Sequence, residues 1–368
     1  MLLFRFIKHH VVFCVAALAA LVTCFFIPPD GEYLSYFDWK TLVCLFLTLA
    51  VVCALRNIKF FTILARRIVR FSGNLRSLFV VLVMITFIGS MLIANDMALI
   101  TFLPLGYFAL SVTGKEKYMA YLFILQNVSA NLGGLLTPFG NPQNLYLYSY
   151  FHIPTGEFCK IMLPPFLLAV GLLFLFCMFV KGEKLSIRDS FEERLNASRT
   201  AVYLVLFVLS LLIVFRLIPW LLGLVLIPAV IFVMDREALL SVDYALLGTF
   251  FFFFIFAGNL SRMEAVNAFF SGLLEKDTLL VSILSCQVIS NVPSAILLSR
   301  FTEDYHALLL GVNIGGTGTL ISSLASLITF SEYRILYPGH SKGYLALFTA
   351  INVIFLVVMT VVAKFFFL

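Results

Sequence analysis

The chain has 368 residues, 62% of them hydrophobic and 12% charged, with 41 phenylalanines and a formal net charge of +6. Soluble domains carry roughly 25% charged residues, so this composition excludes a water-soluble globular fold. Repeated apolar runs of about 17 to 25 residues describe a polytopic α-helical membrane protein, and the Lys and Arg excess sits in short loops, as an orientation signal and not as a nucleic-acid surface.

The chain opens with MLLFRFIKHH and the apolar run VVFCVAALAALVTCFFI. That run is long, and no A-x-A-like cleavage site precedes PPD, which predicts a retained first span instead of a signal peptide. Apolar spans are predicted near 11–27, 40–55, 160–180, 200–217, 219–234, 243–260 and 343–366. Two further stretches, 76–112 and 278–300, carry a polar break at the middle and read as re-entrant hairpins. Two more, 118–150 and 305–330, are long but interrupted and read as broken helices. The segment RNIKFFTILARRIVRFSGNLR holds Arg56, Lys59, Arg66, Arg67, Arg70 and Arg76 without an acid, which predicts a basic amphipathic helix on the cytoplasmic surface. It orients the chain. Arg5 and Lys8 fall inside with the loops carrying Arg188, Arg194, Arg334 and Lys342, and Asp30, Glu32 and Asp38 fall outside. The count is about nine crossings, N-terminus in and C-terminus out. The cysteines form no C-x-x-C pair and read as small hydrophobes, and His9–His10 reads as a terminal loop pair.

An internal repeat organises these elements. NLGGLLTPFGNPQNL (131–145) aligns with NIGGTGTLISSLASL (313–327), matching Asn131, Gly133, Gly134 and Thr137 to Asn313, Gly315, Gly316 and Thr319. Upstream, Asn95 faces Asn291, and further upstream Asp38 faces Asp243. An odd number of crossings separates the copies, so the second is inverted relative to the first, as in many transporters. The predicted organisation is a first inverted repeat over 1–180, a cytoplasmic linker over 181–199 and a second inverted repeat over 200–368.

Non-helical backbone at membrane depth is tolerated only where protein buries it or where it lines an aqueous cavity, so each break marks a candidate site. Asn141 suits an N-cap with Pro142 at the first helical position; Asn291 or Val292 precedes Pro293 in the same way. Asn95 or Asp96, and Ser322, are the other expected caps. Four half-helix N-termini facing one volume favour an anion, and carbonyls freed at the glycine pairs offer oxygen ligands to a coupling cation. The candidate substrate residues are Asn95, Asn131, Gly133, Gly134, Thr137, Asn141 and Asn144 in the first half. In the second half they are Ser290, Asn291, Asn313, Gly315, Gly316, Thr317, Thr319, Ser322 and Ser323. Asp96 is the one carboxylate inside an apolar span; it reads either as a coupling acid, with Asn95, Asn141 and Asn291 beside it, or as a plain N-cap. The glycine pairs read equally as close-packing positions between helices.

The motifs NDMALITFLPL, NLGGLLTPFGNPQNLYL, QVISNVPSAILL and VNIGGTGTLISSLASLI resemble the paired motifs of the ion transporter superfamily. That group includes citrate transporters, divalent-anion/sodium symporters, arsenite/antimonite permeases and sodium/proton antiporters; the likeness extends to bacterial inner-membrane permeases of the YbiR type. The resemblance implies a scaffold and a moving transport domain, elevator-type alternating access and often a homodimer. In the divalent-anion branch, Ser-Asn-Thr at each hairpin tip grips a substrate carboxylate. Here the triplets are Ala94-Asn95-Asp96 and Ser290-Asn291-Val292, so the first lacks its serine and both lack the threonine. The Asn-Asp pair is more similar to the arsenite permease and antiporter branches.

The expected function is a secondary active transporter of a small anion in the inner or plasma membrane. A carboxylate such as citrate or a related di- or tricarboxylate is the expected cargo, coupled to protons or sodium and with no other cofactor. Alternatives are an arsenite/antimonite efflux permease, a sodium/proton antiporter or an anion channel. An enzyme is disfavoured, since the chain has no H-E-x-x-H and no second aspartate in an apolar span.

Overall fold

The computed structural model describes residues 11–69, 72–185 and 195–368. Arg5, Lys8, Arg70, Arg188, Arg194 and the His9–His10 pair lie outside them. Helices α1 (Val11–Phe26) and α2 (Trp39–Asn57) lead to the short α3 (Phe60–Val69). Then α4 (Leu75–Ile93) and α5 (Asn95–Val112) are joined through the single residue Ala94. Helix α6 (Met119–Gly133) stops in a 3-10 turn and a loop, resumes as α7 (Pro142–Tyr150) and is followed by α8 (Thr155–Met178). Helices α9 (Ala197–Val214), α10 (Trp220–Met234) and the short α11 (Arg236–Leu240) come next. The order then recurs: α12 (Tyr244–Ser261), α13 (Glu264–Ile289), α14 (Asn291–Leu298), α15 (Tyr305–Ile314), α16 (Leu324–Leu336) and α17 (Ser341–Val362).

Eight segments among the described residues are helical, long and apolar enough to cross a membrane. The protein is a polytopic membrane protein, and its outer face agrees: Val225 on α10 is 72% exposed and Val233 is 84% exposed, tolerable where the surrounding solvent is lipid.

The same local chemistry starts corresponding helices. Asp38 caps α2 by accepting the Thr41 N–H at 3.0 Å, and Asp243 caps α12 by accepting that of Leu246 at 2.9 Å. Asn74 begins α4 in a reciprocal capping box with Ser77. Its counterpart, Asp277, interrupts α13 with non-helical angles (φ −166°, ψ 88°) and accepts the Leu280 N–H at 2.9 Å.

Both polar breaks turn the chain back on itself. Phe102 of α5 lies against Gly89 of α4, and Ser285 and Ser294 share a hydrogen bond of 2.8 Å across the second hairpin. At the tips Ala94 (φ 65°, ψ 158°) and Ser290 (φ 76°, ψ 160°) share a backbone conformation that is almost exclusive to glycine, at about 1–3 kcal/mol each. The arms differ in reach. α4 and α5 have 19 and 18 residues, each long enough to cross by itself, whereas α14 has only 8. At 1.5 Å per residue α14 spans about 12 Å, well short of a bilayer core of about 30 Å.

Three boundaries differ from the sequence expectation. α13 begins at Glu264, upstream of 278, because the stretch before Asp277 is helical despite its charges. α16 continues to Leu336, past 330. The basic segment supplies the end of α2 and then α3, which packs on α4 and α5: Arg56, in the last turn of α2, reaches the Met97 sulfur at 3.2 Å, and Arg66 of α3 lies over the Phe108 ring at 5.3 Å. Near the base of the first hairpin, Lys115 pairs with Glu183 and holds that carboxyl below the usual carboxylate range.

Candidate functional site

The restart of each interrupted helix follows from its cap. Asn141 is extended (φ −139°, ψ 147°), and Pro142 occupies the first helical position, where its missing N–H removes no hydrogen bond. In the second half the cap is Ser323, which accepts the Ser326 N–H at 3.2 Å. Ser322, the expected cap, turns back instead and donates to the Gly316 and Thr319 carbonyls at 2.9 and 2.8 Å. At the tips the caps also move by one residue, to Ala94 and Ser290, since each turn is completed before its asparagine. Asp96 therefore sits inside α5 and is not its N-cap.

The two asparagines at the tips do the same thing. The Asn95 side-chain oxygen accepts the Asp96 N–H at 3.0 Å, and that of Asn291 accepts the Val292 N–H at 2.9 Å. Each hairpin is then sewn to its broken helix. Thr137 donates to the Met91 carbonyl at 3.1 Å, and Thr319 donates to the Gln287 carbonyl at 3.2 Å. Asn95 Nδ2 approaches Asn131 Oδ1 at 3.5 Å, while the Asn291 N–H and the Ser290 hydroxyl donate to the Ser322 carbonyl at 3.0 and 3.3 Å. Both breaks are walled by the tip of their own hairpin.

The halves also meet each other, since α14 packs on α7 while α16 packs on α5 and α6. Gln143 Nε2 donates to Asn313 Oδ1 at 3.2 Å, and Asn313 Nδ2 donates to Asn144 Oδ1 at 2.6 Å. Asn127 Nδ2 donates to the Ser326 hydroxyl at 3.2 Å and its oxygen accepts from Thr329 at 3.4 Å. Of the candidate residues, Asn144 and Asn313 thus bridge the two broken helices. Asn144 also donates to the Gly134 carbonyl at 3.0 Å, and Thr317 donates to the Ile314 carbonyl at 2.7 Å. Gly133, Gly134, Gly315 and Gly316 are buried at the two breaks, whereas Thr319 is exposed. Sequence reasoning missed Asn127, Gln143, Gln287, Ser326 and Thr329; polar side chains clustered on otherwise apolar helices were the available signal.

Four buried polar atoms here have no protein partner: Asp96 Oδ1, Asn131 Nδ2, Asn141 Oδ1 and Gln143 Oε1. A buried donor or acceptor left unsatisfied costs about 1–3 kcal/mol, so such a cluster suits a polar guest. Neither the tips nor the breaks carry Lys or Arg. The positive character available to a guest comes from the N-termini of α5, α7, α14 and α16 and from amide N–H groups. Three of the four unpartnered atoms are oxygens, which suit a small cation or the protons of a hydroxylated solute.

Comparison with known proteins agrees with this architecture. Residues 1–306 match a family model described as citrate transporter. The chain is 34% identical over 300 residues to an uncharacterized transporter of Methanocaldococcus jannaschii, covering 81% of this chain and 82% of that protein. It is 30% identical over 345 residues to the inner membrane protein YbiR of Escherichia coli, covering 89% and 90%. A silicon efflux transporter of Oryza sativa subsp. japonica is 33% identical over 158 residues, 42% of this chain and 32% of that one.

Proposed function

The chain belongs to the citrate transporter family, and from that premise we propose that this membrane permease is a secondary active carrier of a small anion, a carboxylate such as citrate or a related di- or tricarboxylate. As a member of a transporter family it is not an enzyme, and a multi-pass place in the plasma membrane accords with its helices and its relatives. One observation carries the reading: two hairpin tips seated on two broken helices, with unpartnered polar atoms buried on the tip and break residues of the first.

In this reading the halves are inverted repeats, the first over 1–180 and the second over 200–368. The matched caps Asp38 and Asp243, the matched tip angles and the matched threonine bonds support it. The hairpins and broken helices form the moving body, and α2, α12 and their neighbours form the frame for elevator-type exchange. Asn95, Asn131 and Asn141 meet the solute from one side, and Asn291 with Gly315 and Gly316 meets it from the other. Asp96 is the coupling acid, taking up a proton or sodium through its unpartnered oxygen. Purified protein in liposomes under imposed pH or sodium gradients tests the reading. Gradient-driven uptake of labelled citrate or a related carboxylate is expected. The absence of carboxylate flux under every gradient, or single-channel currents, overturns it.

A second reading rests on the lack of Lys and Arg in the tip and break segments and on the acid beside the first tip asparagine. Those features suit a metalloid hydroxide moving outward against protons, as in an arsenite permease, and one relative bears the name silicon efflux transporter. Outward flux of arsenite or silicic acid from the same liposomes, without carboxylate flux, selects it.

A further inference from the structure

The frame and the moving body of the proposed carrier meet where α2 packs on α7 and α12 packs on α14. Two arginines cross that line beside the last turn of α7, in opposite directions. Arg216 stands in the turn between α9 and α10, helices that pack on α2, and donates to the Tyr148 carbonyl of α7. Arg300 follows α14 and donates to the Tyr36 carbonyl, in the 3-10 turn (Gly31–Tyr36) that leads into α2. Tyrosine rings of α7 steer both: the Arg216 guanidinium lies 4.3 Å from the centre of the Tyr148 ring, and that of Arg300 lies 5.3 Å from the centre of the Tyr150 ring. The carbonyl end of α7 carries negative partial charge, which favours a cation there.

Both acceptors are held firmly. The Tyr36 ring is buried against Gly258 of α12, where a Cβ would stand 2.4 Å from it, and its hydroxyl accepts from Arg262 at 2.9 Å. The Tyr148 ring packs edge-on against Phe158, and its hydroxyl shares a hydrogen bond of 2.7 Å with Thr155 of α8. The donors are held less completely. Arg216 has a φ of 64°, a left-handed backbone that a residue other than glycine keeps only where its surroundings impose it. The Nε of each arginine is buried without a hydrogen-bond partner among the described residues. A buried donor left unpaired is penalised, so each arginine grips its carbonyl and still has something to gain by moving. At the far end of α2, the contact that Arg56 makes with α5 goes to the Met97 thioether, a weak acceptor. A carbonyl accepts more strongly, so these polar contacts favour the Tyr36 end.

We propose that Arg216 and Arg300 are a reciprocal pair of latches that hold the hairpin-and-broken-helix body at the Tyr36 end of the frame and let go before the solute site opens toward the other end. The inference rests on the carrier reading above and adds to it the groups that set how long the body stays on one side. Arg216 reaches from frame to body and Arg300 from body to frame, so a slide of one against the other breaks both contacts together. Neither arginine belongs to the proposed solute site. They are positioning residues, acting on the balance between two placements of the body.

The test uses the full-length protein in liposomes, with spin labels on noncanonical amino acids at Leu34, exposed in the frame turn, and at Glu303, exposed beyond α14. Pulsed dipolar spectroscopy reads the distance between them under imposed proton or sodium gradients, and flux of labelled citrate is followed in parallel. The parent is expected to favour one distance. R216Q/R300Q is expected to shift the ratio of the two placements by at least about tenfold and to move KM in opposite senses at the two faces of the membrane. An unchanged distance distribution in the double variant, with flux intact, overturns the latch and leaves the carrier reading standing. A lower melting temperature without a change in the ratio or in KM shows a purely structural pair and overturns the proposal as well. Absence of flux in the parent overturns the carrier reading instead, and the distance ratio still decides the latch. Should R216Q/R300Q fail to fold, R300K keeps the charge and loses the planar fork. A smaller shift in the same direction is then expected, and an unchanged ratio overturns the proposal.

Discussion

The two interrupted helices both break at a glycine pair and treat the break differently. In the second, the Gln287 side chain donates to the Gly315 and Thr317 carbonyls at 2.8 and 3.2 Å and accepts the Thr319 N–H at 2.9 Å. Its loop is thereby clasped to the hairpin. The corresponding place in the first half is held by Met91, which contributes only its backbone carbonyl, to Thr137. All four unpartnered polar atoms of the site, on Asp96, Asn131, Asn141 and Gln143, belong to this first half. Two similar breaks thus supply two walls, and the side chains assign them different work. The second wall satisfies itself; the first is left with bonds to offer.

The largest effect that separates the walls comes from their glycines. A Cβ on Gly133 would stand 2.2 Å from the Phe87 carbonyl oxygen, fixed backbone of α4, whereas one on Gly316 would stand 3.0 Å from the Asn291 side-chain amide and 3.2 Å from the Asn313 carbonyl oxygen, a milder approach. Gly133→Ala is therefore expected to cost about 3 kcal/mol or more, and Gly316→Ala less than about 1 kcal/mol. Thermal unfolding and the yield of monodisperse protein read the difference. Equal losses at the two positions would break the comparison.

Next in size is the loss of coupling. Asp96→Asn keeps the shape of the first tip and removes its charge; gradient-dependent flux should disappear while the fold persists. Placing the acid at the matching residue of the other tip, with Asp96→Asn/Val292→Asp, should not restore coupling if the first wall alone receives the ion. Restored coupling in that variant would show the walls to be interchangeable.

Much of this was legible in the sequence, for identifiable reasons. Both breaks are marked by residues whose local chemistry stops a helix: Gly133-Gly134, Asn141-Pro142 and Gly315-Gly316. The caps Asp38 and Asp243 follow the ordinary N-cap pattern. What escaped depends on contacts distant along the chain. The pairing of Asn127 with Ser326 and Thr329, and of Gln143 with Asn313, arises only when the two halves face each other. The tip conformation was hidden because Ala94 and Ser290 are not glycines, and packing around the turn forces angles that neither residue prefers. Ser322 was mistaken for a cap because two adjacent serines offer the same chemistry, and only the position of the Gly316 carbonyl separates them.

A third variant makes the second wall imitate the first. Gln287→Met leaves the Gly315 and Thr317 carbonyls and the Thr319 N–H without their side-chain partner. The loop is partly exposed at Thr319 and Ile321, so water recovers some of the loss, and about 1–2 kcal/mol of destabilisation is expected. Flux at saturating solute should change little if the clasp is structural. A loss of affinity without a loss of stability would move Gln287 into the solute site.

The smallest effect concerns a joint outside the walls, where Arg262 pairs with Asp30. The Arg262 guanidinium beside Asp30 holds its carboxyl below the usual range. A depressed carboxylate contributes stability that is complete above its unfolded pKa, about 3.9, and is lost as pH falls through the folded value. Both partners are substantially exposed, so the contribution is modest and screened by salt. Asp30→Asn should lower the melting temperature slightly at neutral pH, and the gap from the parent should close on acidification below about pH 4. A gap that persists at low pH would mean that Asp30 acts through the turn it caps, at the Glu32 N–H, and not through Arg262.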